Sequence, residues 1–474
     1  MSIAGKIVDF LAGLHPVFKK PLKSEPLHKK LRNVILIVIA YALLSEVRLP
    51  YIDPNALERF KYLELVFGSS FGTLMTLGIG PVIMGGLLAE LLYAARDAIK
   101  PFRELDLKTE EGKKRYMKYV MALTIFMLFW EALTYTMRIA EPTLIGRLVV
   151  FGLLVIGGYI AILMVEYTKK YGVLSAISLF VLYRVSRSVF VSLFNPIGLN
   201  TTAEYIPSGK VIQLLHYVYG VIQGNQDIID LYNNSIGPMI LMPILGTIFL
   251  WVLVSYLNKV RVEVPNMAGG KQEYTLLMQS VMPIIFGAFF IQFLQSILSF
   301  ANGFIHSSTI EHILTLLTTP FGYLSWYDKI HWLVYSITFA FPGVLFSYIF
   351  TKRMIDENMI TDFYDYVMSL DLPGRTKFRK GFAKRINVFS MRTKLINTYL
   401  AFYSAVVAVI IALIGNAFGV AAGGSGIILA IMISENIVKQ LQQELKRHKM
   451  APYKTPKDLF IYTIKKMFVS EQKD

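Results

Sequence analysis

Residues 71–92 read FGTLMTLGIGPVIMGGLLAELL. The stretch is apolar and long enough to cross a bilayer core, which takes about 20 residues of helix. Yet it contains Gly72, Gly78, Gly80, Pro81, Gly85 and Gly86, residue types that weaken or kink helices, and one carboxylate, Glu90. In lipid, every backbone N–H and C=O must find its partner within the protein. A span so rich in helix breakers is therefore expected either to pack closely on other spans through its small residues, or to face a protein-lined internal path.

The rest of the chain sets the class. Of its 474 residues, 54% are hydrophobic and only 17% charged, and the mean hydropathy is +0.51. Apolar runs near bilayer length recur from end to end, which predicts an all-α integral membrane protein. The N-terminal segment is short and basic and shows no small-residue cleavage site, so no cleavable signal peptide is expected. With no cysteine, disulfides and thiolate metal sites are excluded. The seven His are scattered and form no His-Glu-x-x-His motif.

Ten spans are predicted, at about 33–49, 72–95, 117–138, 144–167, 172–195, 236–258, 278–301, 330–351, 395–415 and 420–440. A shorter piece, ALERFKYLELVFGSSF, lies before the second span and is too charged at its start to cross. With the N-terminus in the cytoplasm, the segments on that side hold 39 of the 48 Lys and Arg. That asymmetry sets the orientation and returns the C-terminus to the cytoplasm. Asn200-Thr-Thr and Asn233-Asn-Ser, two glycosylation sequons, both fall outside.

Ten spans divide into two sets of five, and an odd number per half predicts halves of opposite orientation. The second span of each half carries helix breakers: LGIGPVIMGG at 77–86, and VMPIIFG at 281–287 with Pro283. Interrupted spans in corresponding positions point to a transport path. The middles of spans 2, 7 and 10 are apolar, with Ile79, Val82, Ile83, Ile284, Ile285, Ile427, Ile428 and Leu429. Such a constriction seals without offering a specific ligand, which suits cargo that is large and chemically varied. No nucleotide site is found. GVAAGGSGIILAIM at 419–432 lacks the Lys of a phosphate loop and follows no strand. NMAGGKQ around Lys271 has Pro265 in the first glycine position. No cofactor is expected.

At these residues the chain resembles the SecY family, channel subunits of the protein translocon. Gly72-Thr-Leu-Met-Thr-Leu-Gly-Ile-Gly-Pro81 is similar to the family's span 2 signature, and Gly423-Gly-Ser-Gly-Ile-Ile-Leu-Ala430 to that of span 10. Further matches follow in order. They are Pro26-Leu-His-Lys-Lys-Leu, Leu43-Leu-Ser-Glu-Val, Lys170-Tyr-Gly-Val-Leu-Ser-Ala-Ile-Ser-Leu-Phe180, Arg261-Val-Glu-Val-Pro265, Met282-Pro-Ile-Ile285 and Asp328-Lys-Ile-His-Trp-Leu-Val-Tyr335. The likeness covers nearly the whole chain and is strongest to archaeal members.

The resemblance implies an hourglass pore between two inverted five-helix halves, closed by an apolar ring. By position the ring is Ile79, Ile83, Ile177, Val181, Met282, Ile285 and Leu429. It also implies a plug at about 57–70, and a lateral gate between spans 2–3 and 7–8, to which Thr76, Gln292 and Gln295 are assigned. Two basic loops, 259–277 and 353–394, match docking sites for ribosomes or, in bacteria, a motor ATPase. Their cations are Lys259, Arg261, Lys271, Arg375, Lys377, Arg379, Lys380, Lys384 and Arg385. Clustered cations attract polyanionic RNA without sequence preference, although basic cytoplasmic loops are also what topology alone requires. The implied partners are SecE-type and SecG/Sec-beta-type subunits, signal peptides, nascent polypeptides and membrane lipid. The implied location is the plasma membrane. The domains expected are a 1–32 cytoplasmic segment, halves at 33–195 and 236–440 joined by an external loop 196–235, and a 441–474 tail.

The chain departs from the family in several places. Arg184 and Arg187 stand at i,i+3 on span 5; they line an external funnel, pair with Glu131 or Glu141, or extend outward. A gate position that is polar in many relatives falls on Phe293. Glu46, Glu90, Glu131 and Glu166 are expected near span ends, interfacial or paired. Two other classes compete with a non-enzymatic protein channel. A solute transporter would carry midplane charges at the breaks, and an intramembrane enzyme would carry a nucleophile, paired acids or a metal set on facing spans. Neither set is seen. A specialised paralogue outside general secretion is a narrower rival.

Overall fold

The protein is described by a computed structural model that covers residues 3–19, 25–52, 70–94, 109–140, 143–196, 198–201, 204–207, 209–224, 241–265, 271–275, 281–305, 307–317, 330–345, 402–416, 423–447 and 455–468, with isolated positions between them. The plug segment, save Ser70, and the loop cations Arg375 to Arg385 lie outside the described residues.

Among the described residues the fold is helical apart from two hairpins. In order come α1 (Ile3–Leu14), α2 (Leu27–Leu44), α3 (Gly80–Ala94), α4 (Glu110–Ile139), α5 (Leu144–Tyr171) and α6 (Ala176–Phe194). The hairpin β1 (Gly198–Thr201) and β2 (Glu204–Pro207) follows, then α7 (Lys210–Gln223), α8 (Leu241–Lys259) and the hairpin β3 (Arg261–Pro265) and β4 (Lys271–Thr275). The chain ends with α9 (Val281–Ile305), α10 (Ser308–Leu316), α11 (Ile330–Leu345), α12 (Phe402–Asn416), α13 (Gly423–Arg447) and α14 (Pro456–Phe468). Each of the ten predicted spans contains a helix among the described residues. Of these, α4, α5, α6, α8 and α9 are long and apolar enough by themselves to cross a bilayer, and α3, α11 and α12 are shorter apolar helices.

Three spans differ from expectation. The first helix begins earlier and ends at Leu44, where Ser45 turns its hydroxyl back to Tyr41 O at 2.8 Å. Span 2 is not helical from residue 72: its helix starts only at Gly80. Pro283, read as a break in span 7, instead sits in the first turn of a continuous α9. There a missing N–H is an unpaired donor the helix would not have used.

Local chemistry starts the long helices. Thr109 caps α4 by accepting from Gly112 N at 3.0 Å, with Glu110 and Glu111 in the positive first turn. Thr143 caps α5 in the same way through Gly146 N at 3.2 Å.

The chain forms two compact units. One comprises residues 1–188, 294–318 and 433–474, the other residues 189–293 and 319–432. In the first unit Tyr41 of α2 stacks on Phe180 of α6, both fully buried, with ring centroids 3.9 Å apart. Leu27, Leu31 and Val34 of α2 form a cluster with Leu174, Leu445 of α13 and Leu459 of α14. α1 lies along α4, tied by Lys118 to Asp9 at 3.1 Å, and Tyr159 of α5 donates to Leu14 O at 3.2 Å. In the second unit, backbone meets backbone at small residues. A Cβ on Gly343 of α11 would lie 2.5 Å from Pro283 O, and one on Gly415 of α12 would lie 2.2 Å from Gly424 Cα.

Among the described glycines the closest approach is at Gly157, halfway along α5, where a Cβ would stand 1.9 Å from Leu74 O. Nothing lies within 4 Å of the same position on Gly152. Gly157→Ala must push the two backbones apart, a cost of about 1–3 kcal/mol. Gly152→Ala gains about 0.5–1 kcal/mol of helix preference. Thermal unfolding in detergent should show the first variant several degrees below the parent and the second at or above it.

Candidate functional site

The segment 70–79 answers the question posed by its glycines. It is a run of tight turns held by its own hydroxyls. Ser70 N donates to Met75 O at 3.0 Å, Thr73 Oγ1 to Ser70 O at 2.7 Å, and Thr76 Oγ1 to Thr73 O at 2.5 Å. Gly72 and Gly78 have φ of 79° and 52°, left-handed values that glycine adopts without strain. The chain leaving α2 supplies the remaining partners. Leu49 N donates to Gly72 O at 2.9 Å, Leu74 N to Val47 O at 2.8 Å, and Ser70 Oγ to Ser45 O at 3.2 Å. Because Leu74 packs on Gly157, this non-helical backbone lies at the level of the middle of α5. Such a stretch is stable at membrane depth only when enclosed by protein, and Met75, Thr76, Leu77 and Ile79 are all buried. The other glycines serve packing: a Cβ on Gly85 would lie 2.5 Å from Thr124 Cα of α4, and one on Gly158 would lie 2.4 Å from Leu128 Cδ1.

Of the proposed ring, Ile79 ends the turn segment and Val181 lies on α6, both buried, while Ile83 on α3 and Ile177 on α6 are half-buried. These four belong to the first unit, and Met282, Ile285 and Leu429 belong to the second. Leu429 on α13 is buried and Ile285 on α9 half-buried. Met282 lies in the first turn of α9, with its side chain outside the described residues. Of the gate assignments, Thr76 holds its own turn, Gln292 on α9 is buried, and Gln295 donates through Nε2 to Leu317 O at 3.0 Å. Lys259 closes α8 and Arg261 opens β3, both exposed. Lys271 opens β4 opposite Pro265.

The acidic residues divide. Glu46 pairs with Arg187 at 2.5 Å, and Glu166 with Lys169 at 2.5 Å. Arg187 therefore takes Glu46 rather than Glu131, Glu141 lies outside the described residues, and Arg184 donates to Ser70 Oγ at 3.3 Å. Glu131 is a correction. It is neither interfacial nor ion-paired among the described residues, but 1% exposed, with its Oε2 2.7 Å from where a Cβ on Gly80 would stand. Sequence pattern alone misplaced it because the unwound start of span 2, which lets α3 begin beside α4, was not visible. The glycine at position 80 was the available signal.

A span that is unwound beside the middle of a long apolar helix and enclosed by protein, in a chain of recurring apolar helices, defines a polytopic membrane protein. A family model described as SecY matches residues 73–438, and the chain belongs to the SecY family. It is 25% identical to the protein translocase subunit SecY of Methanothermobacter thermautotrophicus, over 90% of this chain and 93% of that one. Against SecY of Methanocaldococcus jannaschii the identity is again 25%, over 93% and 96%. The structure of a protein-conducting channel shares the fold, with TM-score 0.68, 24% identity and coverage of 94% of this chain and 97% of the other.

Placing a side chain at Gly78 puts an L-residue in the left-handed region, which costs about 1–2 kcal/mol. In this cysteine-free chain, a Met75→Cys probe is fully buried. Adding Gly78→Val should speed its maleimide labelling by about fivefold or more. Unchanged labelling would mean that the turn does not depend on Gly78.

Proposed function

We propose that this chain is the channel-forming subunit of a Sec-type protein translocase. It conducts unfolded polypeptides across the membrane and releases apolar segments sideways into lipid. The observation that carries this reading is the protein-enclosed, non-helical start of span 2, ending in the buried Ile79. A path edged by flexible apolar side chains closes on itself by excluding water, and it closes on a passing chain without needing a matching shape. Ile79, Ile83, Ile177, Val181, Met282, Ile285 and Leu429 are proposed as that ring, supported by their uniformly apolar character in two separate units. Thr76, Gln292 and Gln295 are proposed for the lateral gate, and residues 57–70 for the plug.

The reading requires no covalent chemistry. Transfer is driven by whatever feeds the chain and by partitioning, since an apolar segment gains by moving into lipid. The charge distribution of the loops supports cytoplasmic termini, and a location in the cell membrane is proposed with them. Lys259, Arg261, Lys271, Arg375, Lys377, Arg379, Lys380, Lys384 and Arg385 are proposed to face a ribosome or another driver. One protein of similar fold is Sec61 in a canine ribosome–channel complex. SecE-type and SecG/Sec-beta-type subunits are proposed as companions. The sequence halves 33–195 and 236–440 are proposed as the two inverted repeats. A solute-transporter reading finds less support: the hydroxyls at the break are turned onto their own backbone rather than toward a ligand.

The test is photocrosslinking from position 83 to an arrested secretory nascent chain, in membranes that hold the protein with its companions. Position 241 on α8, whose Leu side chain is exposed on the helix surface, is the control. The expected result is a crosslink at 83 and none at 241. A ribosome-bound complex silent at both positions would show a family member that does not conduct secretory chains.

A further inference from the structure

Between α6 and α8 the chain builds a small platform whose outer surface the channel reading does not use. The hairpin β1–β2 leads through Gly209 into α7. Gly209 N donates to Asn195 O at 2.9 Å, and a Cβ there would stand 2.5 Å from Asn195 N. The helix therefore starts against the end of α6. Its inner face is fixed: Gln213 is buried and donates through Nε2 to Pro207 O at 2.7 Å, while its Oε1 accepts from Lys210 Nζ at 3.2 Å. Gly220 is buried on the same side, and Gly224, at φ 67°, ends the helix in the left-handed turn that favours glycine.

The outer face is apolar. Leu215, Val218, Tyr219 and Ile222 follow the i, i+3, i+4, i+7 spacing of one helix face, and all are exposed, Ile222 by 77%. α7 carries no acidic residue, and Lys210 is its only Lys or Arg. A stripe of this kind facing water would be an unusual exposed apolar surface. Its surroundings identify what covers it. α7 packs on α8, and α8 is a membrane span whose own exposed residues include Leu241, Met242, Leu245, Ile248 and Phe249. α8 ends in Lys259, at the basic end, and α6 follows Lys169 and Lys170. Phe194 and Leu241 thus mark the opposite end of both spans, and α7 joins them there. The apolar stripe therefore lies on a helix packed against a span with an exposed apolar surface of its own, at the end where the spans leave the hydrocarbon.

We propose that α7 is an interfacial helix, seated with Leu215, Val218, Tyr219 and Ile222 in the lipid headgroup–acyl boundary on the side opposite the basic loops. A short amphipathic helix buries its apolar face a few ångströms into that layer. Tyr217, Tyr219 and His216 are side-chain types that sit comfortably at its polar edge. The platform then anchors the long connection between α6 and α8 to the bilayer, so that the connection does not project freely into solvent.

Single cysteines can be placed without background in this chain. The full protein with its companion subunits would be reconstituted in phosphatidylethanolamine/phosphatidylglycerol nanodiscs, spin-labelled at 219 or 222. Accessibility to oxygen and to a water-soluble nickel chelate is then read by power saturation. Leu245→Cys on α8 is the lipid reference and Lys113→Cys, exposed near the start of α4, the water reference. The expected result is nickel access at 219 and 222 about fivefold or more below that at 113, with oxygen access close to that at 245. Nickel access equal to that at 113 would put the stripe in water and overturn the proposal. Exclusion of both reagents would show the stripe covered by a companion subunit or a second copy, which also overturns it. All labelled positions are exposed, so a folded, monodisperse complex is expected for each variant, and each reading decides the question.

Discussion

A backbone amide in the middle of a bilayer has no water to bond. Every departure from helix there must be repaired from within the protein, and the first unit is arranged around one such repair. The ten residues from Ser70 to Ile79 leave helical geometry. Their donors and acceptors are met by Ser, Thr and the chain emerging from α2. The glycines on either side of the contact then follow from it. Gly72 and Gly78 make the turns, Gly157 and Gly158 let α5 come close enough to cover the segment, and Gly85 lets α3, which follows it, pack on α4. Removing water from these polar groups makes each hydrogen bond worth more and each missing one more costly. That is why so much close packing is concentrated on so short a stretch.

The same arrangement joins a rigid backbone to a yielding side chain. The backbone of the turn segment is tightly determined, while the side chain it delivers at its end, Ile79, is a flexible hydrocarbon with no polar obligation. A channel for unfolded chains needs this combination. Its walls must hold against lipid and membrane potential, and its narrowest point must yield to side chains of any size. Polar groups at the constriction would bind some sequences and reject others. Apolar side chains discriminate little, because contact with hydrocarbon is nondirectional.

Much of this was legible in the sequence, because lipid leaves few choices. Long apolar runs become spans, so all ten were found, and the positions of Lys and Arg suggest how they are threaded. The glycines at 72 and 78 announced a break in span 2, but not its extent. Hydropathy treats residues 72–79 and 80–94 alike, although only the second run is helical. Pro283 misled in the opposite direction, since a proline signal does not say whether it falls in the first turn of a helix or in its interior. Arg187 and Glu46 are joined by tertiary folding across more than a hundred residues, and no local pattern carries that pairing. Glu131 was misplaced for the same reason: its surroundings come from Gly80, on another element. The amphipathic spacing of α7 lay in plain view in the sequence. Its meaning depended on knowing that its inner face is held by Pro207 and its start by Asn195.

The cluster that joins α2 to α14 bears on the order of events during synthesis. Leu27 and Leu31 are separated from their partner Leu459 by most of the sequence. While the residues between them are being made, the start of α2 has part of its eventual packing missing, and a contact so distant in sequence is slow to form. The first unit, assembled from three separate stretches of chain, therefore cannot close before α14 has been made. Until then a nascent copy waits in the membrane, half-built, with α2 held open for α14.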